Sequence, residues 1–361
     1  MSDARTDNPD PLAAPPAGGR AVIFGCAGPE IDADEKAFFR DANPVGFILF
    51  SRNVETPEQL RRLTEDLRSA VGWRAPILID QEGGRVARLR GPVWAEWAPV
   101  GALSARVEAG DLSEEALAEA LRLRYAWIAD ELRSIGVDVN CAPLLDVRQP
   151  QAHDIIGDRA LGFDPERVAR RGRAVADGLL SGGVAPVIKH LPGHGRADLD
   201  SHLALPRVAA SRADLEAADL PPFRALADQP FGMTAHIVYE AIDPERCATL
   251  SPVVIGELIR GAIGFDGALM TDDLSMRALE GPFRLRAEQS LAAGCDLVLH
   301  CNGAMAEMTD TAAGVAPLEG VSRDRMLRAL KARRAPQPFD REAALARLGA
   351  LGAGPLSRQA T

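Results

Sequence analysis

Short apolar runs alternate along the chain with longer stretches in which apolar residues recur every three or four positions. That alternation predicts parallel strands joined by crossover helices. The strand-like runs are AVIFG from Ala21, VGFILF from Val45, PILID from Pro76, VDVNCAP from Val137, APVIKH from Ala185, GMTAH from Gly232, GALMTD from Gly267 and DLVLH from Asp296. Between them PEQLRRLTEDLRSA, SEEALAEALRLRYAWIADELRSI, PERVARRGRAVADGLLS, SPVVIGELIRG and RLRAEQSLAAG keep the helical period, and several open on Ser, Asp or Pro signals and close on Gly. About eight strands in this order is the number a closed (β/α)8 barrel requires. Strand counting alone leaves an open doubly wound sheet as the alternative. No internal repeat and no Pro- or Ser-rich linker follows residue 20. The expected organisation is a disordered leader over 1–20 and one α/β barrel domain over 21–361.

Composition narrows what such a barrel works on. A length of 361 residues, 47% of them hydrophobic and 25% charged, describes an ordinary globular chain able to bury a sizeable core. The formal net charge of −10 opposes a nucleic-acid partner, whose phosphates such a surface repels. The five cysteines, Cys26, Cys141, Cys247, Cys295 and Cys301, are scattered and form no CxxC, so they read as small core residues of a reduced compartment. The N-terminus carries Asp, Pro and Gly where a signal peptide needs an unbroken apolar stretch, and no run approaches the roughly 18 to 20 apolar residues that span a bilayer. The expectation is a cytoplasmic protein with a small-molecule substrate, no membrane or nucleic-acid partner and no obligate protein partner evident.

Polar residues mark the strand ends. Asp80, Asn140, Lys189, His190, His236 and Asp272 all fall at or just past the C-terminal end of a proposed strand, and in a barrel those ends surround one cavity. The segment KHLPGHGRADLDSHLALP, residues 189–206, reads as one loop holding Lys189, His190, His194, Asp198, Asp200 and His202. Two chemistries fit it. Three histidines suit a metal, but the Pro192-Gly193 break removes the helical register that would align the first two. The pair Asp200 and His202 suits a dyad in which the carboxylate orients the imidazole and supports its protonated form, which is the favoured reading. The run GALMTDD delivers Asp272 and Asp273 together. Adjacent side chains on a strand face opposite ways, so one is expected to aim into the cavity as a nucleophile and the other to cap the next segment.

These segments together resemble glycoside hydrolase family 3, in particular its single-domain bacterial β-N-acetylglucosaminidases of cell-wall recycling. The resemblance is carried by GFILFSRNVETPEQL, ILIDQEGGRVARLR, GVDVNCAPLLDV, IGDRALGFDPERV, APVIKHLPGHG with DSH, MTAHIVYEAIDP, ATLSPVVIGELIRGAIGFDG, MTDDLSM and AGCDLVLHCN, collinear from about residue 20 to residue 303. It implies that Asp272 is the nucleophile, His202 the general acid/base and Asp200 its support. It also implies that Asp80, Arg88, Arg159, Lys189 and His190 bind the terminal sugar, with no cofactor and no metal. The implied activity is retaining exo-hydrolysis that releases terminal N-acetylglucosamine from β-1,4-linked muropeptide fragments. Leu191 stands where the family pattern usually has Phe, and Cys247 where Pro often stands; neither is a catalytic position. A metal-dependent barrel hydrolase, a non-catalytic muropeptide-binding barrel and a phosphorylase are the alternatives.

Overall fold

All eight expected strands form. In the computed structural model, which describes residues 14–150, 154–197, 199 and 204–356, they are β1 (Arg20–Gly25), β2 (Pro44–Leu49), β3 (Ile77–Ile79) and β4 (Val139–Asn140), followed by β5 (Ala185–Leu191), β6 (Phe231–Thr234), β7 (Ala268–Asp273) and β8 (Leu297–His300). Each pairs in parallel with its neighbours in sequence, and β1 pairs with β8 through Val22↔Val298 to close the barrel. Strands covered by helices outside and by side chains inside are buried on both faces, which is why PVGFIL and APVIKHL read as unbroken runs and are buried throughout.

The crossover helices begin and end where their sequence signals stand. Thr56 Oγ1 accepts the Gln59 N–H at 3.1 Å, Pro57 opens the helix Pro57–Val71, and Gly72 closes it in the left-handed region at φ 71°. Leu60, Leu63 and Leu67 form its buried stripe. Ser113 and Asp164 cap Glu114–Ser134 and Pro165–Ser181 in the same way. The segment expected as an ordinary helix from Ser251 is wound as a π-helix over Val254–Ala262.

Three expectations change. Lys189 and His190, counted both in the strand APVIKH and at the start of the 189–206 loop, belong to β5, because Leu191 O accepts the Ala235 N–H at 2.8 Å and carries the ladder past them. The β4 run stops after two residues, and Pro143 shortly beyond it has no N–H to give. A small antiparallel hairpin, Gln81–Gly83 with Val86–Ala87, rises from the end of β3 where only a motif was seen. All five cysteines are free and buried. Among the described residues no helix is long and apolar enough to cross a membrane.

Candidate active site

A cavity of about 240 Å³ opens at the C-terminal ends of the strands. Six of the eight residues singled out from the sequence line it: Asp80, Arg88, Arg159, Lys189, His190 and Asp272. The other two, Asp200 and His202, lie outside the described residues.

One wall is a chain of buried ion pairs. Asp80 accepts from Lys189 Nζ at 2.9 Å and from Arg88 Nη2 at 2.9 Å. Lys189 Nζ also lies 2.7 Å from Glu82 Oε1, and Glu82 takes Arg159 on both oxygens, at 2.8 and 2.9 Å. Burial alone would raise both carboxyl pKa values. Lys189 and Arg88 nevertheless hold Asp80 well below the usual carboxylate range, and Arg159 with Lys189 brings Glu82 down to about 2. The same carboxylates push Lys189 and Arg159 up against their own burial, so every member is ionised near neutrality.

The hairpin after β3 sets this geometry. Asn140 and Gln81 exchange amide hydrogen bonds at 3.0 Å, and Gln81 Oε1 accepts the N–H groups of Arg88 and Leu89. Asn140, marked as a strand-end polar residue, therefore aligns the hairpin rather than the cavity. Below, the Glu82 carbonyl accepts from Arg124 Nη2 and Tyr125 Oη, both at 2.8 Å. Gly83 has φ 97° and lies so close to the Arg124 guanidinium that a Cβ would stand 1.8 Å from it, so only glycine fits. The Arg159 loop is held from the far side: Leu161 O accepts from Arg171 Nη1 and Ser104 Oγ, and Arg85 Nη2 binds the carbonyls of Asp154 and Ile155.

His190 presents one nitrogen to the cavity and gives the other to Asp146. Nδ1 is 2.8 Å from Asp146 Oδ2, while Oδ1 accepts the N–H groups of His190 and His194. Burial would raise the Asp146 pKa, but the facing His190 ring and the bonds to it hold the group down, so it is ionised and accepts only. His190 therefore carries its proton on Nδ1. Burial pushes His194 down to about 4, with His190 beside it acting the same way. The segment that leads towards Asp200 and His202 is tied at its root. Tyr239 Oη donates to Gly193 O at 2.6 Å and Arg196 pairs with Asp219 at 2.7 Å.

Across the cavity, at the end of β7, both Asp272 and Asp273 line the wall, where only one was expected to, and their hydrogen bonds differ. Asp273 accepts from Ser275 N at 2.9 Å, Ser275 Oγ at 2.5 Å and Cys301 N at 3.1 Å, which makes it the clamp of the following turn. Asp272 Oδ1 accepts the Asp273 N–H at 2.8 Å. Glu82 and Asp146 were missed in the sequence. Charge counting could have found Glu82, since within the sugar-binding set three cations, Arg88, Arg159 and Lys189, faced one carboxylate, Asp80. No comparable signal marks Asp146. Among the described residues no cluster of three or more His, Cys, Asp or Glu is arranged to hold a metal.

Comparison with known proteins agrees with this architecture. The family model described as glycosyl hydrolase family 3 N terminal domain matches residues 20–330. A beta-hexosaminidase of Alkalilimnicola ehrlichii is 43% identical over 288 residues, covering 78% of this chain and 80% of that protein. A beta-hexosaminidase of Pseudomonas aeruginosa is 37% identical over 286 residues, 78% of this chain and 82% of that protein. The crystal structure of NagZ from Neisseria gonorrhoeae in complex with N-trifluoroacetyl-D-glucosamine is 32% identical, with a TM-score of 0.81 over 95% of this chain and 100% of that one. The family match, these relatives and the shared barrel agree on one assignment: this chain is a glycoside hydrolase belonging to glycosyl hydrolase family 3.

Proposed function

We propose that the protein is a retaining exo-β-N-acetylglucosaminidase that removes terminal N-acetylglucosamine from β-1,4-linked muropeptide fragments in the cytoplasm. The observation that carries the reading is the pairing, in one small cavity, of the Asp272 carboxylate with the Asp80–Lys189–Arg88 cluster and His190. A neutral polyhydroxy ring needs donors and acceptors side by side, and such clusters supply them. A volume of about 240 Å³ lies below the common range of ligand pockets, about 300–1,000 Å³, and suits one sugar ring at a chain end. The names of the relatives and the sugar analogue bound to the Neisseria protein support a hexosamine in that place. The muropeptide leaving group rests on the branch of the family that the motifs resemble.

In this mechanism the Asp272 carboxylate attacks the anomeric carbon as the glycosidic C–O bond breaks, and the leaving oxygen takes a proton from His202. Water then attacks the anomeric carbon, gives a proton to His202 and frees Asp272. Asp200 supports the imidazolium, and histidine, with an ordinary pKa of about 6.5, serves in both directions near neutrality. Lys189, Arg88, Arg159, Asp80 and His190 hold the hydroxyl groups of the ring.

Purified protein given paired aryl β-glucosides and β-N-acetylglucosaminides, with and without phosphate, should cleave only the second, at a rate indifferent to phosphate, and yield the free β-sugar first. Glucoside preference would sink the substrate assignment; a sugar 1-phosphate product would make the enzyme a phosphorylase.

The role of His202 shows in the leaving group. A nitrophenyl oxygen departs with little protonation, whereas a sugar oxygen needs a donated proton. His202→Ala should therefore lose about 10²–10⁴-fold in glycosyl-enzyme formation on a disaccharide and much less on the aryl substrate, with Asp200→Asn biased the same way more weakly. Equal losses on both substrates, in pre-steady-state measurement, would place the acid/base elsewhere.

A further inference from the structure

His236 lies just past the end of β6, wholly buried, and nothing in the mechanism above uses it. Its Nε2 is 3.0 Å from the Asp273 carbonyl oxygen. A carbonyl only accepts, so Nε2 carries a proton and donates it. Its Nδ1 is 2.7 Å from Thr249 Oγ1, which in turn lies 2.8 Å from Thr234 Oγ1. Burial pushes the imidazole pKa down despite the nearby Asp272 and Asp273 carboxylates. The ring is thus neutral; Thr249 Oγ1 also lies 3.1 Å from Ala235 O, but its one proton goes to the nearer Nδ1, and Thr234 donates to Thr249. One run of protons, from Thr234 through Thr249 and His236, ends on the Asp273 carbonyl.

That carbonyl belongs to the frame of Asp272. The Asp273 N–H holds Asp272 Oδ1 at 2.8 Å, and the Asp273 carboxylate is fixed by Ser275 and by the Cys301 N–H at the end of β8. With His236 on its carbonyl, Asp273 is gripped at its N–H, side chain and C=O, so its two flanking peptide planes cannot turn independently. The groups assigned to the sugar hydroxyls sit elsewhere, on β5, at the end of β3 and its hairpin, and on the loop of Arg159. A disturbance at His236 therefore reaches the carboxylate through the Asp273 peptide, while of the sugar-binding groups His190, on the adjoining strand, also stands near the ring.

We propose that His236, locked as its Nε2–H tautomer by Thr249, is a positioning residue that aims the Asp272 carboxylate through the Asp273 peptide. The proposal rests on the reading of Asp272 as nucleophile. A histidine that merely filled the core would, when replaced, lower stability and leave the chemical step alone.

The test uses His236→Leu, His236→Gln and Thr249→Val in the full chain. Each is measured for kcat and KM on an aryl β-N-acetylglucosaminide and for the rate of labelling by a 5-fluoro glycosyl fluoride of N-acetylglucosamine, with the labelled peptide mapped by mass spectrometry. His236→Leu should slow labelling and kcat about 10- to 100-fold, the scale set by leaving one buried acceptor, the Asp273 carbonyl, without its donor, with KM within about twofold. His236→Gln, whose amide N–H can reach the Asp273 carbonyl, should recover to within a few fold. Thr249→Val keeps the ring but frees its tautomer and should fall between. Labelling of Asp272 at the native rate in His236→Leu, or equal losses in the Leu and Gln variants, overturns the positioning role alone. Label on another residue of the unaltered enzyme overturns the nucleophile reading and this inference with it. If His236→Leu does not fold, native kcat in Thr249→Val overturns the proposal and a reduced kcat at constant KM upholds it.

Discussion

Asp272→Ala is expected to lower turnover of an aryl β-N-acetylglucosaminide by roughly 10⁴–10⁶-fold, the scale on which loss of a covalent nucleophile is felt, while Asp273→Ala keeps measurable turnover and melts earlier. The two residues are neighbours of the same type, so the contrast isolates role from chemistry. Asp273 accepts from Ser275 N, Ser275 Oγ and Cys301 N, and these bonds tie the turn after β7 to the end of β8. Removing that carboxylate strands three donors and should cost about 1–3 kcal/mol of stability. Some turnover goes with it, because the Asp273 N–H that holds Asp272 Oδ1 loses its frame. Asp272 is held mainly for its aim, so its loss should leave the melting temperature almost unchanged and abolish labelling by the fluorinated sugar. Turnover surviving in Asp272→Ala and vanishing in Asp273→Ala would show that the nucleophile is the second aspartate.

The barrel was legible because strands buried on both faces appear as continuous apolar runs bounded by turn residues, and because Thr56, Ser113 and Asp164 announce the helices they cap. Strand-end position likewise found Asp80, Lys189, His190 and Asp272 in the cavity wall, while Arg88 and Arg159 came from the family resemblance alone. What the chain order conceals is partnership. Lys189 meets Asp80 across 109 positions, Arg159 meets Glu82 across 77 and His190 meets Asp146 across 44. Residue type suggested that each polar group has a use, but the fold alone determines which use. Asn140, with the credentials of a cavity residue, hydrogen-bonds the Gln81 backbone instead. Helix Val100–Glu108 escaped notice because Pro99 before it offers no capping side chain. The start of the 189–206 segment falls both in the run APVIKH and in the loop that Pro192, Gly193 and Gly195 suggest; the strand holds there, and β5 extends one residue further, through Leu191.

Glu82, one of the two carboxylates that sequence reasoning passed over, should be among the least replaceable residues of the site. Its two oxygens meet Arg159 Nε, Arg159 Nη2 and Lys189 Nζ, with Glu82 and Lys189 buried and Arg159 nearly so. Glu82→Ala would leave Arg159 and Lys189 in the cavity wall with Asp80 as the nearest remaining carboxylate of the cluster. Breaking one side of a buried pair costs about 3–5 kcal/mol, because the charge left behind has lost its water and gained nothing. Glu82→Gln should cost less, since its oxygen still accepts, but its NH2 must face a guanidinium or ammonium donor. The pH dependence separates this from simple loss of packing. The Glu82 pKa lies near 2 in the folded protein against an ordinary 4.5, so folding depresses it. The stabilisation is full above about pH 4.5 and fades as pH falls towards 2. Asp80, also held low, adds its own slope in the same acid window, so the informative quantity is the difference between native protein and Glu82→Gln. That difference in unfolding free energy should be large at pH 7 and shrink steadily below pH 4.5. Affinity for N-acetylglucosamine should fall with it at neutral pH, because the Lys189 and Arg159 donors lose their alignment. A stability difference that stays constant from pH 7 to pH 3 would mean that Glu82 acts by filling space rather than by its charge.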